Sequence, residues 1–422
     1  MGRKQPINAD VPAEEASGKV KPAPPRAAKA AGGRVPGALK GIAALVLVAV
    51  VLIVAAILGG QGNEKSGSID VATQTAAQLG YPSFATNNTT RVGGADPASN
   101  AAAVALAVYP SAAPVQRPDA VALIDDRRWQ DAVAAAVLMA APVRAPLLVS
   151  GSGGAAEATR QALDALDPQG SRQTRGAQAF VVGAAEAPSD LQTTEVGGKG
   201  ATGLAAAIAE LRDELFGSKP AHIVIAPVAD PGFAVPAAAW AARSGDPVLF
   251  TERKELPART VKALKRYPDA SVYVLGPSAA IASQVVREIA KLGNQVRRVS
   301  GEDPATNAIA LARYADDGFG WNINDPGHGL VLARADSPLD AAVAAPLSAS
   351  GTWGPLLLTD SAATLPAPLR DYLLDIKPGY SDDPTRAFYN HVWLIGDEEA
   401  IDVNQQAEVD ELAEVTAVGG EP

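Results

Sequence analysis

Five side chains have types and spacing that could do chemistry. Arg127 and Arg128 follow a short apolar run at residues 121–124, and Arg334 follows a comparable run at 330–333. A planar guanidinium can donate two parallel hydrogen bonds to a phosphate or carboxylate, so arginines at two such places point to recognition of an anionic group. Asp131 and Asp340 come a few residues later. At the carboxyl ends of parallel strands they would face the crevice where α/β sheets take ligands. A second reading is open for both. Asp340 ends Ser337-Pro338-Leu339-Asp340, which is also how a helix begins, and an acid in a first turn gains about 0.3–1 kcal/mol from the helix dipole. The arginines likewise fit a solvated surface, since the pair Arg253 and Lys254 occurs elsewhere without any such context.

Other chemistries find little support. There is no Cys, which excludes disulfides and thiolate metal sites, and His222, His328 and His391 lack metal-ligand spacing. The GSGG run at 151–154 lacks the Lys of a phosphate-binding loop, and no G-x-S-x-G nucleophile elbow is present. No pair of carboxylates can be singled out as acid and base. No enzyme activity, metal or cofactor is expected.

The elements that must position these residues form a repeated cassette. Residues 330–359 read LVLARADSPLDAAVAAPLSASGTWGPLLLT, an apolar run, an Ala-rich stretch of helical length and a second apolar run. Residues 121–150 and 223–251 repeat it, with second runs PLLVS, PVLFT and PLLLT. Continuous apolar runs suit strands buried on both faces of a parallel sheet, and Ala lets a helix lie close on it. A marker sets the period: TTRVGG ends at Gly94, TTEVGG at Gly198, VRRVSG at Gly301 and VTAVGG at Gly420. The spacings of 104, 103 and 119 residues, differences of those positions, suit a small α/β domain each. Units are expected at 87–198, 199–301 and 302–422, the last marker closing the third. The third is longer because of two polar segments, 316–329 and 377–386, expected to be surface loops.

Charge and hydropathy place the chain at a membrane. The first 40 residues carry eight Lys or Arg and three acids; with −10 overall, the rest carries about −15. An acidic body with few aromatics gives no footprint for nucleic acid. Residues 1–37 read as a disordered cytoplasmic tail. Residues 38–60 contain twenty uncharged residues, 41–60, enough to span about 30 Å of hydrocarbon, and 61–86 form a linker. A cleaved signal peptide is the alternative, but the apolar run is long and its leader longer than usual. Basic residues before the span put the amino terminus in the cytoplasm and the repeats outside.

The markers with PLDAAVAAPLSA and PLLLT in unit three, and WQDAVAAAVLMA and PLLVS in unit one, resemble the cell wall-binding repeat 2 family, tandem triplets of surface and S-layer proteins of Gram-positive bacteria. That resemblance implies three Rossmann-like parallel α/β modules in a pseudo-threefold arrangement that bind an anionic cell-wall polymer non-covalently. With the strand-end arginines added to the cassette acids that the resemblance carries, the expected polymer-binding set is Arg127, Arg128, Asp131, Arg334 and Asp340. Unit two departs from the pattern, with Val235 in place of the Asp. An envelope scaffold that holds a protein partner instead of polymer is the alternative function.

Overall fold

The computed structural model describes residues 84–350 and 354–418, all within one compact unit. The tail, membrane helix and linker expected at 1–37, 38–60 and 61–86 lie outside the described residues, apart from 84–86. Among the described residues no helix is long and apolar enough to cross a membrane.

Three separate sheets share one construction. In the first, Val121–Ile124 lies between Leu147–Gly151 and Ala179–Val182, and Thr193–Val196 flanks the latter, all parallel. The second repeats this order with His222–Pro227, Val248–Thr251, Ser271–Leu275 and Val296–Val299. In the third, Gly329–Arg334, Leu356–Thr359 and His391–Ile395 take the first three places. The central strands read VALI, IVIA and LVLA and are buried throughout, as continuous apolar runs require.

The marker strands show how the units interlock. Each belongs to the sheet of the unit before it: Thr193–Val196 completes the first sheet and Val296–Val299 the second. By position the last marker should complete the third. Instead Thr89–Val92, the first marker, pairs with His391–Ile395, and the last one contributes only Thr416–Ala417, paired with Gly379–Tyr380. The unit expected at 87–198 therefore lends its leading strand to the sheet of the unit expected at 302–422.

One residue distinguishes the two candidate strands, although the marker strand of the first sheet pairs while carrying an exposed Glu195 at the same position. Arg91 is 1 % exposed, and its guanidinium donates to the carbonyls of Gly396 (3.2 Å), Asp397 (2.6 Å) and Ile401 (2.6 Å) and to Oε1 of Gln406 (2.8 Å), leaving only Nε unpartnered. Arg298 does the same in the second sheet, donating to the carbonyls of Gly276 and Ile281. The last marker has Ala417 at that position and can offer no such donors. Burial lowers the pKa of Arg91 while Glu398, Asp397 and Asp402 oppose the shift. The marker glycines serve close approach: a Cβ on Gly198 would sit 2.3 Å from the backbone nitrogen of Leu204, and one on Gly301 2.2 Å from the carbonyl carbon of Thr306.

The cassette helices meet in pairs. Trp129–Ala135 packs on Pro236–Ser244 and on Pro338–Val343, and the last two touch each other. Their facing residues are mostly Ala, among them Ala132, Ala135, Ala238, Ala241, Ala341 and Ala342, all fully buried, so three backbones approach closely in one shared core.

Of the two polar segments, 316–329 is not a simple surface loop. Phe319 is 1 % exposed and stacks on Tyr273 with ring centroids 3.7 Å apart, and Ile323 is buried too. The two aromatics in GFGW give an otherwise polar segment apolar anchors.

Because charged hydrogen bonds contribute about 1.5–3 kcal/mol each, Arg91→Met should destabilise the protein by roughly 3 kcal/mol or more. Urea denaturation will measure this; an unchanged midpoint would mean that the strand is held by its ladder alone.

Candidate functional site

Strand register makes the sites of units one and three directly comparable. Ala122 pairs with Leu147 as Val331 pairs with Leu356, so Asp125 corresponds to Arg334, Arg127 to Asp336 and Asp131 to Asp340. The expected arginines are therefore not equivalent to one another. Arg127 holds Asp125 through Nε (3.1 Å to Oδ1) and Nη2 (2.8 Å to Oδ2). Arg334 holds Asp336 in the same two-pronged way, at 3.1 and 2.6 Å. One ion pair occurs at both strand ends with its polarity reversed, and unit two has Pro227 and Ala229 at the two positions.

Exposure separates the arginines further. The Arg127 side chain is 62 % exposed and that of Arg334 16 %, so the first offers its outer edge to solvent while the second is largely covered. The Arg127 hydrogen bonds hold the buried Asp125 carboxyl below the usual carboxylate range. Counting Asp125, Asp126 and Asp131 against Arg127 and Arg128, and Asp336 and Asp340 against Arg334, neither strand end has an excess of positive charge.

Asp131 and Asp340 lie at the seams between units. Asp340 Oδ1 accepts a 2.8 Å hydrogen bond from Asn100 Nδ2, and Asn100 Oδ1 accepts from the backbone of Gly94 (2.7 Å). Asn100 stands six residues after its marker glycine. Asn307 stands six after Gly301 and accepts from that glycine (3.3 Å), but the register of the second sheet puts Phe233, and not Val235 as the sequence suggested, at the place of Asp131 and Asp340, and Asn307 donates only weakly to the Phe233 carbonyl (3.4 Å). At the remaining seam the equivalent residue, six after Gly198, is Leu204. One seam has kept both partners, one only the amide and one only the acid.

That last acid is Asp131, which is fully buried. Arg128 lies 3.1 Å from Oδ1, obliquely enough to form an ion pair and no hydrogen bond, and neither oxygen has a hydrogen-bond partner. Burial raises its pKa to about 6, with Arg128 opposing and Asp125 assisting. Burial also raises that of Asp340, where the Asn100 hydrogen bond works the other way. Both aspartates fall in the first turn of their helices, Asp340 with Ser337 as N-cap and Pro338 next, although neither N-cap residue makes a side-chain capping hydrogen bond, and both acids also lie at the seams.

The sequence reading missed the carboxylates that engage the arginines, although Asp125 and Asp336 stand only two residues away. It also missed Asn100, whose signal was its fixed distance from the marker glycine. Among the described residues no cluster of His, Asp and Glu could hold a metal ion.

Residues 195–286 match the family model of cell wall binding domain 2 (CWB2), the family whose resemblance the repeats carry. The match falls on unit two, the unit without the cassette Asp. Two solved structures share the fold: Cwp6 from Clostridium difficile, TM-score 0.61 at 18 % identity over 78 % of this chain and 48 % of that one, and Cwp8 from the same organism, TM-score 0.59 at 18 % identity over 78 % and 52 %. The chain spans about half the length of each. No curated protein matches the sequence.

A buried acid whose desolvation outweighs its one ion pair gives a signed pH dependence. In the unfolded chain Asp131 loses its proton near 3.8, whereas the native state keeps it to about 6, so its contribution to stability is greatest below the lower value and is lost as pH rises through the upper. Asp131→Asn removes that loss. The stability difference between variant and parent should grow from near zero at pH 4 to roughly 2–3 kcal/mol in favour of the variant at pH 7. A difference that stays constant across this range in denaturant titrations would contradict the assignment.

Proposed function

We propose that a chain with a cell wall binding domain 2 unit at residues 195–286, flanked by two units of the same strand order, is a non-enzymatic protein that holds an anionic cell-wall polymer outside the cell. The single observation that carries this reading is the family match on one of three sheets built alike. In this reading the units stand about an approximate threefold axis through the cassette helices. Residues 38–60 anchor the chain in the membrane, with the amino terminus in the cytoplasm.

Polymer contact falls to the strand ends. Arg127 is the most accessible guanidinium of the expected set and Arg128 is partly exposed. Arg334 contributes the covered end of its own pair, while Asp131 and Asp340 act from below by fixing the seams. With a Debye length of about 8 Å at physiological ionic strength, the acids of the wider body are screened and the local groups decide contact.

A second reading has an observation in its favour. All three arginines already pair with carboxylates, so an anion must compete with Asp125, Asp131 and Asp336 for them. An envelope scaffold that holds a protein partner needs no such competition.

Sedimentation with purified Gram-positive cell walls distinguishes the two. The parent should pellet with walls, less so as salt rises, and Arg127→Gln/Arg128→Gln/Arg334→Gln should pellet several-fold less while keeping the parent's circular dichroism spectrum, although freeing the buried Asp125 and Asp131 from their arginines lowers its stability. A parent that stays in the supernatant with walls from several Gram-positive species would overturn the polymer reading. A triple variant that binds as well as the parent would move the site elsewhere.

A further inference from the structure

The negative charge of the body is unevenly divided among its units. Residues 252–298, which follow the second cassette strand of unit two, carry ten Lys or Arg against four acids. The corresponding residues 360–417 of unit three carry three Lys or Arg against thirteen acids, and residues 151–195 of unit one three against six. Units of one construction thus differ in sign.

Topology gathers each charge on one face. Ala258–Leu264 and Ser283–Ala290 connect strands that step across the second sheet in the same direction, and right-handed crossovers put both helices on the same side of it. They bury Thr260, Leu264, Val285 and Ile289 and leave Arg259, Lys262, Lys265, Arg287 and Lys291 exposed, with Glu288 as the one acid on the two helices. Among the described residues none of these five cations pairs with a carboxylate. Ala367–Asp375 and Val403–Ala413 take the same two places on the third sheet. There Asp375 and Glu408 are engaged by Arg313 and Arg370, while the exposed Asp371 and Glu411 have no cationic partner among the described residues.

The opposition holds position by position. Lys262 is the fifth residue of its helix as Asp371 is of its own, and Lys291 stands eight after Ser283 as Glu411 stands eight after Val403. One chain therefore presents opposite charges at the same places of the same scaffold, on two separate sheets. The acidic face also exposes Leu374 (42 %) and Val403 (48 %). An anionic polymer would engage the basic face alone and leave these two side chains uncovered, whereas a second copy of the chain supplies a partner for each face and covers them.

We propose that the helix face of unit two docks on the helix face of unit three in a second copy of this chain. The contact joins different surfaces of the two copies, so each copy keeps a face free to continue, and a head-to-tail chain results, or a ring if the rotation closes. Charge steers and aligns the copies more than it binds them, and the contact weakens as salt rises. The proposal does not depend on the wall-binding reading.

Sedimentation velocity of the full chain in a nonionic detergent, over a range of protein concentrations in about 20 mM and about 500 mM salt, tests it. The parent should form dimers and longer species with rising concentration at low salt and return to its smallest species at high salt. Lys262→Glu/Lys291→Glu and Asp371→Lys/Glu411→Lys should each associate at least about tenfold more weakly alone, with the parent's circular dichroism spectrum. An equimolar mixture of the two variants should associate again, because their reversed faces match each other. A parent that stays at its smallest species up to about 100 μM at low salt, association that salt does not weaken, or variants that associate as well as the parent would overturn the proposal. A mixture whose members remain apart would overturn the pairing of these two faces. Loss of wall sedimentation in Lys262→Glu/Lys291→Glu with unchanged self-association would overturn it too, and would make the basic face a polymer site.

Discussion

Everything in this molecule depends on where the fourth strand of each sheet comes from. A three-stranded parallel sheet leaves the far edge of its third strand unpaired, and each unit solves this by borrowing the strand that leads into the next. The third unit has no successor to borrow from among the described residues and takes the strand at the start of the first. That pairing joins the two ends of the repeat array. It is secured by the buried Arg91, whose donors reach four acceptors on the segment that follows His391–Ile395.

Borrowing strands places each seam between a cassette helix and the helix after a marker. What happens there depends on two positions, the cassette acid and the residue six after the marker glycine. Only Asp340 with Asn100 retains both, which ties the ends of the array with a partly buried hydrogen bond. Phe233 and Leu204 remove one partner at each of the other seams. Losing the acid leaves Asn307 with a weak carbonyl contact, whereas losing the amide leaves the Asp131 carboxylate unsatisfied and raises its pKa. The three units share a strand order but are electrostatically distinct, and the reversed ion pairs at Arg127 and Arg334 continue that asymmetry to the surface.

Much of this was legible in the sequence. The central strands follow from apolar runs, and the Ala-rich stretches correctly mark helices that pack on one another. Strand exchange was not legible, because TTRV and VTAV have the same pattern and differ chiefly in Arg91 against Ala417, a contrast that matters only once the acceptors around Gly396 are in place. The arginine pairing was hidden by attention to repeated arginines when the repeated feature was an Arg and an Asp two residues apart, in either order.

The central claim is that pairing of the first marker strand with the last sheet makes three repeats one cooperative body. Native-state hydrogen exchange in increasing urea tests it most directly. The account expects the hydrogen-bonded amides of Thr89–Val92 to exchange only through global unfolding, with the same free energy and urea dependence as those of Val392–Ile395 and Ser271–Leu275. Exchange of Thr89–Val92 by local opening while the third sheet stays protected would contradict it, as would protection of the 415–418 amides in their place.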